Sequence, residues 1–146
     1  MKRGEFLRAL SRDHHQGLSV ALRLKRTTSA TAREDRRRFL AFWRAEGRRH
    51  FRVEEEVLLP AYARHSEVDE PAVVRVLTEH VDLRRRAVDV EANERPEVDQ
   101  LRELGESLQR HIRHEERVLF PKIEAAIPGV ELGDLAEAIE RAERSG

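Results

Sequence analysis

Residues 50–60 read HFRVEEEVLLP, and residues 111–121 read HIRHEERVLFP. The two stretches align without a gap. Each opens on His, carries Glu four residues later and ends on Pro. Positions four apart lie about 40° apart around a helix, so each pair presents imidazole and carboxylate to the same side. That side is apolar both times. His50 and Glu54 fall within the stripe Phe39, Trp43, Val53, Val57 and Ala61, and Glu115 falls between Leu108, Ile112 and Leu119 with His111 on the same face. A looser match joins residues 8–14, RALSRDH, to residues 75–80, RVLTEH, with one residue deleted. It places His14 between Leu10 and Leu18, and His80 beside Val73, Val76 and Leu77. The chain thus reads as two copies of one unit: a helix with one His, then a helix with His-x-x-x-Glu.

Working outward, the apolar spacing predicts four long amphipathic helices. The first covers about residues 5–25, with Phe6, Leu7, Leu10, Leu18, Ala21 and Leu24 inward. Thr31 followed by Glu34 has the form of a capping box for the second, which Pro60 disturbs. Asp69 and Pro71 are placed to start the third, with Val73, Leu77, Val81 and Val88 inward, ending near Glu91. Asn93 to Pro96 is a break. The fourth carries Leu101, Leu104, Leu108, Ile112, Leu119 and Ile123. Pro128-Gly129 closes it, and about residues 134–144 form a short fifth helix. No stretch reads as a strand. The expected architecture is all-α: an antiparallel up-and-down four-helix bundle over about residues 5–126, within a single domain spanning residues 1–146.

The 146 residues suffice for one domain with a real core. Apolar residues make up 39% and charged residues 38%, which fits helices with solvated outer faces. Twenty-eight basic and 28 acidic residues cancel, so the basic excess of a general nucleic-acid binder is absent. With no cysteine, disulfides, thiolate metal sites and cysteine nucleophiles are excluded. No membrane-length apolar run and no signal-peptide pattern is visible, so neither nucleic acid nor membrane is expected as a partner and a cytoplasmic location is expected.

Four His and two Glu therefore point toward one core. A lone inward His is usually a satisfied core residue, but a buried Glu costs several kcal/mol, roughly, unless paired or metal-bound. A bound metal offsets that cost for all six at once. The alternative is a metal-free His–Glu salt-bridge network. Imidazole and carboxylate donors suit Fe, Mn or Zn, and two carboxylates among four His suggest two ions with bridging Glu. The Glu-x-x-His spacing of ferritin-like di-iron bundles is missing. His65 and His114 are expected at the surface, and His15, at the edge of its stripe, is the rival to His14.

At these residues the sequence resembles the hemerythrin-like (HHE cation-binding) family. The matching stretches are residues 10–14, 50–60, 79–84 and 111–121, in order on four helices. The resemblance implies a carboxylate-bridged pair of non-haem irons. His14 and His50 would bind one ion, His80 and His111 the other, and Glu54 and Glu115 would bridge them. It also implies O2, peroxide or nitric oxide as the small ligand, together with a reductant that the sequence does not identify. Redox handling of O2 or peroxide is the favoured reading; oxygen, nitric oxide or iron sensing or storage without turnover is the alternative. Oxygen-carrying members have a second His one turn after the third-helix His, where this chain has Arg84. Arg cannot ligate a metal. An inward Arg84 would stabilise developing negative charge or pair with Glu54 or Glu115; an outward one would only cover apolar surface. The cysteine-bearing N-terminal domain of members tied to iron–sulfur repair is also missing, which argues against that role.

Overall fold

A computed structural model of the protein describes residues 4–145. Helix α1 is Arg8–Lys25. Helix α2, residues 32–62, is a run of α-helical pieces joined by wider π turns at Trp43–Gly47 and Glu54–Leu58. Helix α3 is Pro71–Ala92. Helix α4, residues 98–126, contains one π turn at Glu115–Leu119. Helix α5 is Gly129–Ser145. Among the described residues there is no strand.

Side-chain pairs fix the direction of each helix. Arg23 meets Asp35 and Asp13 meets His50, so α1 and α2 are antiparallel. Arg36 reaches Val90 and Arg84 reaches Glu55, which sets α3 against α2. His111 meets Glu79 and Arg86 meets Glu103, which sets α4 against α3. This is the expected up-and-down bundle. Helix α5 folds back along α1 and α2 through Arg12–Glu140, Arg49–Glu143 and His65–Glu131.

Two apolar clusters fill the bundle. One gathers Leu7, Leu10, Leu58, Val76, Leu119 and Ile123 with Leu132 and Ile139 of α5. The other gathers Leu24, Phe39, Trp43, Leu83, Leu104 and Ile112. Along α1, His14 separates Leu10 of the first cluster from Ala21 and Leu24 of the second, and along α3 His80 separates Val76 from Leu83; on α2 and α4 the change falls between Phe51 and Val53 and between Ile112 and Leu119. The polar site is a layer between two dry cores.

Several local expectations differ from the structure. Helix α3 turns Leu77, Val81 and Val88 outward and buries Ala72, Val76, Leu83, Ala87 and Val90. The helix carries two apolar stripes, and the one in register with His80 is buried, because burying His80 beside the carboxylates decides the rotation. The capping box does not form: Thr31 accepts from the Thr28 amide, and Glu34 turns to Arg37 and Arg38. Glu70, not Asp69, precedes Pro71 at the start of α3. Helix α5 begins at Gly129 rather than near residue 134, because Pro128 opens its first turn by accepting the Leu132 amide. Pro60 and Pro121 do not break their helices. The π turn just before each lets the amide of the preceding residue, Leu59 or Phe120, bond five residues back to Glu54 or Glu115.

Candidate metal centre

The six inward residues of the sequence reading come together. His14, His50, His80, His111, Glu54 and Glu115 are all buried. The ε nitrogen of each ring points at the carboxylates. His14 Nε2 lies 3.0 Å from Glu115 Oε1, and His80 Nε2 lies 3.0 Å from Glu54 Oε1. His50 Nε2 is 3.1 Å from Glu54 Oε2, and His111 Nε2 is 3.4 Å from Glu115 Oε1. Donor atoms fall into two groups: His14 and His50 with both Glu, and His80 and His111 with both Glu. Glu54 and Glu115 belong to both groups.

The δ nitrogens face the other way, each onto an acid that the sequence reading did not single out. Asp13 accepts from His50 at 2.9 Å and Glu79 from His111 at 2.8 Å. Glu55 pairs with His80 and Glu116 with His14, each at 2.7 Å. The pattern repeats with the two halves. The acid preceding the single His supports the second His of its own half, and the acid following the bridging Glu supports the single His of the other half. The signal was present as doublets, Asp13-His14 with Glu79-His80 and Glu54-Glu55 with Glu115-Glu116.

Whether these residues fit a metal can be judged from their unsatisfied atoms. Nε2 of His50, His80 and His111, both oxygens of Glu54 and Oε2 of Glu115 are buried with no hydrogen-bond partner. They approach one another at ion-pair distance without hydrogen-bond geometry. Lone pairs that converge in this way, with imidazoles held from behind by carboxylates, match a metal-binding layer. A sequence profile for the Hemerythrin HHE cation binding domain matches residues 5–123. The chain belongs to the hemerythrin HHE cation-binding family. No curated protein and no solved structure matches it.

In this HHE domain burial works against charged rings, but the acids outweigh it. Hydrogen bonds to Glu115 and Glu116 push His14 up to about 9, and the close Glu54 carboxylate together with the hydrogen bond to Glu55 pushes His80 up to about 9. Burial opposes ionisation of Glu115 too, yet His111 and its other partners hold it well below the usual carboxylate range. The rings are fixed by stacking, His80 on Phe51 at 3.9 Å and His14 on Phe120 at 5.3 Å.

Arg84 meets neither Glu54 nor Glu115. Its Nη2 lies 3.1 Å from both oxygens of Glu55, the acid behind His80, and its guanidinium sits over Phe51. It therefore covers apolar surface and also clamps a support of the HHE site. His15 and His65 are exposed, and His65 pairs with Glu131. His114 is buried, not at the surface, with Nε2 3.3 Å from the Ala72 carbonyl. The close approach of α3 and α4 covers that side of α4, which the apolar spacing alone does not show. No helix among the described residues is long and apolar enough to cross a membrane.

Proposed function

We propose that this HHE domain holds two irons and uses them for redox handling of O2 or peroxide. His14 and His50 hold one ion, His80 and His111 the other, and Glu54 and Glu115 span both. The observation that carries the reading is the set of buried, unpartnered Nε2 and carboxylate atoms that converge in two groups sharing both Glu. Nitrogen and oxygen donors of this kind suit iron, and the family match supports a cation.

Two irons held there would supply the two electrons that, with two protons, convert peroxide to two waters, and a separate reductant would restore them. The chain does the rest. Asp13, Glu55, Glu79 and Glu116 hold the rings in one tautomer, with the proton on Nδ1 and the lone pair on Nε2. The two apolar clusters exclude bulk water. Arg84 is tied to Glu55 and cannot ligate a metal, so no His from that turn would join the ligand set.

The test is metal analysis of purified protein, then rapid mixing of its diferrous form with O2 and a peroxide-consumption assay. About two irons per chain, fast oxidation and peroxide consumption are expected. Glu54→Ala and Glu115→Ala should each lose iron. A fully folded protein with no bound metal would overturn the reading. A second reading, a sensor or store without turnover, is favoured by one contact. Helix α5 places Glu143 beside Asp13, the support of His50, so the site touches an element that could carry a signal. An oxygenated form that reverses under vacuum, with no peroxide consumption, would favour it.

A further inference from the structure

The two halves differ one turn before their His-x-x-x-Glu segments. In α2 that turn is the π turn Trp43–Gly47. The aligned residues of α4, 104–108, are ordinary α-helix. Beside the π turn lies a cavity of about 20 Å³ whose accessible wall is apolar. It exceeds the roughly 10–15 Å³ that a single water molecule needs. His14, His50, His111 and Glu115 border it on the site side, and Phe42, Gly17 and Gly47 border it on the other. The glycines let the wall side chains pack close to the backbone. A Cβ on Gly17 would stand 2.7 Å from Ile112 Cδ1, and one on Gly47 would stand 2.6 Å from Trp43 Cε3.

Glu46 also lines this cavity. Its Oε2 is buried and has no hydrogen-bond partner. The aligned residue in the other half is Ser107, whose hydroxyl accepts from Arg110. Glu46 as a whole is half-buried, and no cation or donor among the described residues meets this oxygen. A negative charge there disfavours a second negative charge nearby. Neutral molecules feel little of it.

We propose that Glu46 is a specificity-determining residue of the cavity beside His14 and His50. Its carboxylate admits neutral small molecules, such as O2, hydrogen peroxide and nitric oxide, and holds off small anions. The proposal rests on the two-iron reading. Repulsion of the wrong ligand is the device; attraction of the right one needs no new contact.

The experiment compares the iron-loaded protein with Glu46→Gln, which keeps the shape and removes the charge. Azide is titrated into the diferric form by its visible absorption, and nitric oxide into the diferrous form. Glu46→Gln should bind azide about tenfold more tightly, the scale of one unfavourable charge contact, with nitric oxide binding unchanged. Glu46→Asp, which keeps the charge, should stay near the parent protein. Equal azide affinity in the parent and Glu46→Gln, with full iron in both, overturns this proposal alone. Equal tightening of azide and nitric oxide overturns it too, because that would report access rather than charge. A Glu46→Gln protein that fails to hold iron makes Glu46 structural and also overturns it. A parent protein without iron overturns the two-iron reading and this proposal with it.

Discussion

Asp13, Glu55, Glu79 and Glu116 each hold one imidazole by its δ nitrogen, and the site depends on them although none faces it. Such supports fix ring orientation and raise the basicity of the other nitrogen. Glu55→Gln and Glu79→Gln should therefore weaken metal binding by about 10–100-fold while the protein stays folded. Competition with a chelator reads the change, and unaltered affinity in both variants would remove the supports from the account. The sign of the pH dependence follows from the same contacts. Without metal, His14 and His80 stay protonated up to about 9, whereas an unfolded His loses its proton near about 6.5. Their protonation stabilises the metal-free fold fully below about pH 6.5, and that contribution is lost as pH rises through about 9. Metal needs the neutral ring, so metal uptake at neutral pH should release protons, and apparent affinity should climb until about pH 9. An indicator dye in weak buffer measures the release. No release at neutral pH would mean that these rings are already neutral. All six inward residues were legible in the sequence because apolar spacing marks a face. The acids behind them were not singled out, because a carboxylate next to a His in sequence points away from it on the helix and finds its partner only across the bundle.

Helix α4 lies against α1 at Gly105, and there the helices touch through backbone. A Cβ at Gly105 would stand 2.7 Å from the Ala21 carbonyl oxygen and 2.8 Å from the Lys25 nitrogen. Ala is the better helix former by about 0.8–1 kcal/mol, but backbone cannot swing aside as a side-chain end can. Gly105→Ala should therefore destabilise the protein by about 1–3 kcal/mol, seen as a lower melting temperature. A variant that melts at the parent temperature would show that α1 and α4 have freedom to separate. The number and order of helices were readable because each apolar stripe runs for several turns between breaks at residues 26–31, 66–70 and 93–96. The face of α3 was not. Val81 and His80 are neighbours about 100° apart, and an apolar count favours the stripe of Leu77, Val81 and Val88, which is exposed. Tertiary pairing of His80 with Glu54 and Glu55 settled the rotation. The π turns were equally hidden: Pro60 and Pro121 announce a disturbance without saying that one extra residue in the preceding turn absorbs it, and no proline marks the turn at Trp43–Gly47.

Across the molecule, the polar layer lies between two apolar clusters and joins all four bundle helices. A metal would bind the folded layer and not the parted helices, so binding energy at the layer is also folding energy. Chelation should lower the melting temperature by about 5–15 °C and leave one cooperative transition. Two separate transitions would mean that the clusters fold independently. The layer is also built across a seam. Helices α1 and α2 form one hairpin, α3 and α4 the other. Glu54 and Glu55 of the first reach His80 of the second, while Glu115 and Glu116 of the second reach His14 of the first. Each proposed ion thus draws ligands from both hairpins, and neither hairpin alone completes a coordination sphere. Parting the seam would strip both proposed spheres together, so by that route the two ions would leave at once. Both proposed ions would therefore be retained by that seam, which includes the backbone-close packing of α1 on α4 at Gly105.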